Sequence, residues 1–371
     1  MQICVDTRGA KLYAGTGIGT YTARLMENIM LIDNSNSYTF FWPNDGYDFM
    51  LDKSNISVTL FGEKNKRFWD ESYLPSLISR RDFEVFHLPQ NGLGLPQKKH
   101  CPYVVTIHDL IPYTMPETCG KSYLDRFMEQ MPYIVEAADK IITVSEYSKQ
   151  DIIKLFNTPA DKIKVTHLAA DSGFKLMDKE KAWQFLQKKY NYTGDYILYL
   201  GGFSPRKNVD GLLEAFRRLV HELPGHYDLM LLGASKDNHY DLRKKVDDLG
   251  IGDRTVFAGF VPYEHLPYFY NCASVFVYPS FYEGFGLPPL EAMTCGTPTI
   301  TSNVTSIPEI VQDGAITIDP NNTDLLTENI YDVLTNMDLR RNLIEKGLRR
   351  AYNFSWKKTA IETIKVYEEL M

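Results

Sequence analysis

Short runs of β-branched and aromatic residues alternate with stretches of helical periodicity along almost the whole chain. In the first half the strand-like runs are ICVDT, TFFWP (Thr39–Pro43), ISVTLF, VFHLP, YVVTIHD, KIITVSE and IKVTHLA. Helical spacing there fits Gly19–Leu31, Lys121–Ala138 and Ser148–Phe156. In the second half strands fit YILYLGG (Tyr196–Gly202), DLMLLGA, TVFAGF, SVFVYPS, GTPTITS and AITID. Helices between them fit Val209–Val220, Tyr240–Leu249, Tyr263–Asn271 and Pro289–Cys295. Strands and helices alternating at this spacing predict βαβ units, and hence parallel sheets covered on both faces.

The alternation pauses once, at Ala169–Asp195, a polar, Lys-rich stretch with one helical segment at Lys179–Tyr190. The chain ends in three helical segments without strands, Asp324–Met337, Leu339–Ala351 and Ser355–Leu370. At 371 residues it also exceeds what one core usually supports. The expected architecture is α/β: two Rossmann-like, doubly wound parallel-sheet domains facing each other across a cleft. Their expected limits are residues 1–170 and 195–354, with 171–194 as the link. Terminal helices without partner strands must pack on something already built, and one option is that 355–371 returns to the first domain.

Composition narrows the class. Hydrophobic residues make up 44% and charged residues 23%, the balance of an ordinary soluble globular protein. The net charge of −7 is spread over both halves, so the basic face of a nucleic-acid binder is missing. Five scattered cysteines (Cys4, Cys101, Cys119, Cys272, Cys295), none in a C-x-x-C pair, argue for reduced thiols and against a zinc site. The N-terminus MQICVDTRG has no signal-peptide pattern, and no apolar run reaches the ~18–20 residues of a membrane span. A cytoplasmic protein is expected.

In doubly wound sheets ligands bind beyond the carboxyl ends of strands, where loops lead into helix N-termini. Four such loops are candidates. In YEGFGLPPLEA (Tyr282–Ala292), Glu283 and Glu291 are eight positions apart. Eight helical residues turn through ~800°, so the two converge only if Glu283 is on a loop and Glu291 is in the following helix. The amides of Gly284, Phe285, Gly286 and Leu287, with a helix dipole behind them, suit a phosphate. The carboxylates would then face neutral sugar and ribose hydroxyls. The spacing alone fits equally well with Glu291 complementing the dipole and Glu283 solvated.

The second loop, GGFSPRKN (Gly201–Asn208), offers two glycines for close approach, the donors Arg206 and Lys207, and Asn208 as a helix N-cap. It reads as a diphosphate clamp or as a solvated basic loop. The third, AGTGIGTYTARL (Ala14–Leu25), contains Gly17 in a G-x-G-x-G run, which is neither the dinucleotide fingerprint nor a P-loop; taken alone, turn glycines explain it better. The fourth, VTIHDL, ends a strand at His108, and a lone histidine is more often structural than catalytic. No two Asp residues are spaced D-x-D, a pair that commonly holds a divalent metal on a diphosphate. Arg206, Lys207 and helix dipoles would have to neutralise the diphosphate, so no metal and no cofactor is expected.

YEGFGLPPLEA resembles the E-x7-E element of retaining glycosyltransferases with the GT-B fold. The segments TGIGTYT, TIHDL, AADKIITVSEYS, YLGGFSPRKN, GFVPYEHLPYFYNCASVFVYPS and FSWKKTA resemble family 4 of that class in the same order, nearly end to end. The bacterial branch that builds exopolysaccharide or O-antigen, including many mannosyl- and glucosyltransferases, looks closest. The resemblance implies transfer of a hexosyl group from a nucleotide-diphosphate sugar, GDP- or UDP-linked, to a glycan or lipid-linked acceptor. It further implies that Arg206, Lys207 and the amides of Phe285 to Leu287 bind the diphosphate. Glu291 would hold the ribose, Glu283 the sugar hydroxyls, and His108 would sit by the transferred sugar. Gly17 and Gly202 would line the donor side. Some members carry Arg in place of Gly202, which leaves more of the charge to Arg206 and Lys207.

Three rival readings are a nucleotide-sugar epimerase on the same fold, a nicotinamide oxidoreductase, and a sugar-nucleotide-binding or scaffold protein without turnover. The first lacks clearly placed additional acids, the second is disfavoured by the glycine spacing and the lack of a ribose acid after the first loop, and the third need not keep Glu283, Glu291, Arg206, Lys207 and His108 together. Peripheral membrane contact is a further expectation. Asn65–Arg81 and Lys121–Tyr133 mix basic and aromatic residues, although ordinary amphipathic helices would do the same.

Overall fold

The computed structural model describes residues 1–43, 46, 50, 52–61, 73–233 and 242–371. These divide into two compact units, Met1–Leu168 with Ser355–Met371, and Ala169–Phe354.

The first unit is built on seven parallel strands: β1 (Gln2–Val5), β2 (Ser37–Pro43), β3 (Ile56–Phe61), β4 (Val85–Leu88), β5 (Tyr103–Ile107), β6 (Lys140–Thr143) and β7 (Ile163–Val165). Their spatial order is β3-β2-β1-β4-β5-β6-β7. The second unit has six: β8 (Asp195–Leu200), β9 (Tyr227–Leu232), β10 (Thr255–Gly259), β11 (Val275–Tyr278), β12 (Thr299–Ser302) and β13 (Ile316–Ile318), in the order β10-β9-β8-β11-β12-β13. Each strand run read from the sequence is therefore present. Central strands such as β5, β11 and β12 are buried at every residue, as strands covered on both faces must be. In both sheets the order reverses at the first strand, placing switch points at β1/β4 and β8/β11.

Helix boundaries moved where capping chemistry decides them. The first long helix runs Gly17–Ile32, earlier than its apolar periodicity suggested, because Thr16 caps it by accepting the Gly19 N–H at 3.2 Å. The expected helix Tyr240–Leu249 is Leu242–Asp248, its first two positions lying outside the described residues.

The stretch 171–194, expected to be a link, packs instead as part of the second unit. Its helix Lys179–Tyr190 turns Ala182 and Leu186 into the core, while Trp183 meets Tyr196 edge-on at 5.9 Å. The lysines that made it read as a linker lie on its outer side.

The final helix, Trp356–Glu368, capped by Ser355, groups with the first unit. It buries Trp356, Thr359, Ala360, Thr363, Val366 and Tyr367, one stripe at helical spacing. Polar bonds fix it as well. Tyr367 Oη lies 2.7 Å from His87 Nδ1, His87 Nε2 lies 2.9 Å from Thr106 Oγ1, and Thr359 Oγ1 donates to the His167 carbonyl at 2.6 Å.

Of the stretch Asn65–Arg81, residues up to 72 lie outside the described part; Leu74–Arg80 is a helix burying Leu74 and Ile78. The helix Lys121–Ala137 buries Phe127, Met131, Ile134 and Val135, and its exposed charges are Lys121, Asp125, Glu129 and Glu136.

Candidate active site

β8 and β11 lie side by side in parallel, pairing Ile197 with Val275 and Leu198 with Phe276. The loops that leave their carboxyl ends are the two that the sequence singles out, GGFSPRKN and YEGFGLPP. The switch point brings them together: the Phe281 N–H donates to the Arg206 carbonyl at 2.8 Å.

Three side chains then converge on one carboxylate oxygen. Glu283 Oε1 accepts from Lys207 Nζ at 2.7 Å, from Arg206 Nη1 at 3.0 Å and from Tyr278 Oη at 3.1 Å. Arg206 also donates to the Tyr282 carbonyl, and Lys207 to Tyr278 Oη. The ion-paired side chains are only 11–15% exposed. Burial alone would push the Glu283 carboxyl up, but Lys207 and then Arg206 outweigh it and hold it down at about 2. With two cations and one anion, the cluster keeps a net charge of +1, which suits an anionic ligand.

Glu291 has the opposite environment. It lies in the helix Leu287–Thr294, 3% exposed, and accepts from Tyr263 Oη at 3.0 Å and Tyr270 Oη at 3.1 Å. No cation faces it in these bonds. Burial therefore raises its carboxyl to about 7, opposed by the two tyrosine hydroxyls and assisted by Asp171. The two glutamates thus have separate partners: Glu283 sits with the clamp and Glu291 under a pair of tyrosines.

Between them, Gly286 has φ +104°, and a Cβ there would stand 2.5 Å from Ile307 Cδ1, so only glycine fits. Leu287 opens the helix, with Pro288 and Pro289 in its first turn, where a missing N–H costs nothing. Gly284 and Phe285 are buried, and Phe285 packs edge-on against Phe354 at 6.1 Å. Asn208 is the expected N-cap: its Oδ1 accepts from the Gly211 N–H at 3.2 Å and its Nδ2 donates to the Pro320 carbonyl at 2.7 Å. A Cβ on Gly202 would meet nothing within 4 Å, so packing does not impose glycine at that position.

Gly17 and His108 belong to the first unit. Gly17 is the exposed first residue of its helix. His108 directly follows β5 and is 6% exposed. Its ring stands edge-on to Tyr21 at 4.8 Å, and its backbone N–H donates to Asn91 Oδ1 at 2.8 Å. Nε2 lies 2.9 Å from the Pro89 carbonyl. Burial pushes the imidazole down to about 4, against that carbonyl, so the ring is neutral near pH 7. Since a carbonyl only accepts, the proton is on Nε2, leaving Nδ1 as the acceptor nitrogen.

Several site residues were missed by the sequence reading. Tyr278, Tyr263 and Tyr270 all lie within the segment GFVPYEHLPYFYNCASVFVYPS, but nothing in their spacing said which would meet a carboxylate. Thr305 and Ser306, which bond to the Glu283–Phe285 backbone, follow β12 in a stretch without motif-like glycines. In the first unit, Arg8 forks onto Asp6, Nε to Oδ1 at 2.7 Å, and Gln90 Nε2 donates to Asp6 Oδ2 at 3.1 Å. That cluster sits at the β1/β4 switch point.

Two Rossmann-like units with an E-x7-E loop at a switch point define the class of GT-B glycosyltransferases. Residues 183–350 match glycosyl transferases group 1, and residues 17–173 match glycosyltransferase family 4. The chain is 40% identical to the O-antigen chain mannosyltransferase B of Escherichia coli, over 100% of both chains. It belongs to family 4 of the GT-B glycosyltransferases. Among solved structures it resembles a sucrose-phosphate synthase from Thermosynechococcus elongatus (TM-score 0.77, 21% identity, covering 100% of this chain and 99% of that one). It is equally similar to HepE of Anabaena in complex with UDP and glucose (TM-score 0.77, 16% identity, covering 100% of each chain). At those identities the likeness concerns the fold alone.

Proposed function

We propose that the protein transfers a mannosyl group from a nucleotide-diphosphate sugar to a growing glycan in cell-surface polysaccharide synthesis, retaining the anomeric configuration and needing no metal. The observation that carries the sugar assignment is the end-to-end likeness to an O-antigen mannosyltransferase. The site supplies the chemistry. Arg206 and Lys207 would take the diphosphate and stabilise its charge as the glycosidic bond breaks, the role a divalent cation fills elsewhere. Glu283 holds both cations in place and would accept from sugar hydroxyls; Glu291 would accept from ribose hydroxyls. His108, neutral and with Nδ1 as acceptor, would serve the transferred sugar.

A lipid-linked acceptor would bring the protein to the inner face of the plasma membrane. No helix among the described residues is long and apolar enough to span one. The helix Lys121–Ala137 exposes Asp125, Glu129 and Glu136 against Lys121, with Arg126 half-buried, a balance that gives little support to attraction by an anionic leaflet.

The test offers GDP-mannose, UDP-mannose, GDP-glucose and UDP-glucose with a mannan-type acceptor in EDTA, and reads the anomeric configuration of the product by NMR. Transfer of mannose as the α-linked product from an α-linked donor is the expected result. Transfer of glucose alone refutes the sugar, an inverted product refutes retention, and turnover that returns only with added divalent metal refutes metal independence.

A further inference from the structure

The turn after β12 holds a strained residue against the donor loop. Thr305 has φ +57°, a left-handed conformation in which a β-branched side chain is strained and which persists only where its surroundings fix it. Its Oγ1 accepts the Glu283 N–H at 3.1 Å. Next to it, Ser306 Oγ shares its proton between the Glu283 carbonyl at 2.8 Å and the Phe285 carbonyl at 3.0 Å. Ile307 completes the grip, its Cδ1 filling the space that a Cβ on Gly286 would need.

These contacts have a geometric consequence. Among the described residues every peptide bond is trans, so the N–H that follows a carbonyl points the opposite way. With the carbonyls of Glu283 and Phe285 drawn toward Ser306, the N–H groups of Gly284 and Gly286 are directed away from it. The Glu283 N–H, by contrast, is turned inward to Thr305. The alternation of the loop backbone is thus set by two hydroxyls, and the same setting leaves the Glu283 side chain to meet Arg206 and Lys207.

We propose that Thr305 and Ser306 are positioning residues for donor binding. By fixing the peptide planes from Glu283 to Gly286, they aim loop amides at a diphosphate and hold the Glu283 carboxylate on the cationic clamp. Neither touches the reacting atoms. The inference rests on the reading of the chain as a nucleotide-sugar transferase.

The test compares Thr305→Gly, which keeps the left-handed backbone without strain and loses the hydroxyl, with Thr305→Ser, which keeps the hydroxyl. Each is measured for donor KM and kcat with the donor the native protein uses, for GDP and UDP binding by calorimetry, and for thermal unfolding. Thr305→Gly should weaken donor binding or turnover by about tenfold or more, the effect of a misplaced binding group, with an unfolding temperature equal to or above native. Thr305→Ser should stay within about threefold of native. Native kinetics in Thr305→Gly would overturn the proposal. So would equal losses in both variants that follow a drop in unfolding temperature, since the residue would then be structural only. A native protein that neither transfers sugar nor binds either nucleotide refutes the functional reading, and the inference falls with it. A native protein that works, beside an unimpaired Thr305→Gly, refutes the inference alone.

Discussion

Replacing Glu283 by Gln removes the one anion of the clamp while keeping its shape. Arg206 and Lys207, 15% and 12% exposed, are then left beside each other with an amide oxygen between them. Two routes give the cost. Holding the carboxyl at about 2 instead of its ordinary 4.5 corresponds to about 3 kcal/mol, at 1.36 kcal/mol per pKa unit. Breaking a buried ion pair from one side costs about 3–5 kcal/mol in general. We therefore expect Glu283→Gln to destabilise the Ala169–Phe354 unit by about 3 kcal/mol near pH 7. For a unit of this size that lowers its unfolding temperature by roughly 6–12 °C.

The sign with pH separates this explanation from a packing defect. A carboxyl whose folded pKa is depressed contributes stability above its unfolded pKa and loses it as pH falls toward the folded value. The native advantage over Glu283→Gln should be complete above about pH 5.5. More than half of it should be gone by pH 3. Differential scanning calorimetry of both proteins from pH 3 to 8 measures it. A variant within about 1 °C of native at pH 7 would refute the pairing energetics, and a difference that does not shrink with acid would assign the loss to packing.

Lys207→Ala should lower transfer by about a hundredfold or more, the usual cost of removing a group that stabilises developing charge. It should also cost stability, since Lys207 is the larger of the two cationic influences on the buried Glu283 carboxylate, so turnover is read well below the lowered unfolding temperature; near-native turnover would remove Lys207 from the mechanism. For Glu291 the sign reverses. Its raised pKa favours folding below about 4.5, and the stability is lost as pH rises through about 7. The stability of native protein relative to Glu291→Gln should therefore fall by about 3 kcal/mol between pH 4.5 and 8, read as diverging unfolding temperatures, and a constant difference would refute the buried, cation-free account.

The alternation of strand and helix made both sheets legible, because a strand buried on both faces must be apolar throughout and sits between amphipathic helices. The link was misread for a reason internal to that logic. Lys179–Tyr190 is Lys-rich overall, yet Ala182 and Leu186 at helical spacing suffice to seat it on the core. Arg206, Lys207 and Glu283 were legible as loop residues beyond strand ends, and Glu291 as a residue of the helix that follows. Their pairing was not. The expectation assigned diphosphate to the cations and sugar to Glu283 without pairing them; the structure puts both cations on one Glu283 oxygen. Lys207 and Glu283 are 76 positions apart, and no local pattern carries such a contact.

What makes the contact possible is topology. Once β8 and β11 are neighbours at the switch point, the loops that leave their carboxyl ends emerge side by side, which brings Arg206 and Lys207 of one within reach of Glu283 of the other. The same rule applied to the first unit picks out the loops after β1 and β4, and there the fork of Arg8 on Asp6 and the Gln90 amide form a second buried polar cluster. That cluster was invisible to motif reading, since Asp6 and Arg8 look like ordinary strand-end residues and Gln90 carries no charge. Both switch points therefore carry charge, but differently balanced: Asp6 and Arg8 offset each other, while Arg206 and Lys207 outnumber Glu283 by one. In these ion pairs the excess cation distinguishes the cluster of the second unit from the offset pair of the first, and that difference supports the proposal that an anionic donor group binds beside Arg206 and Lys207.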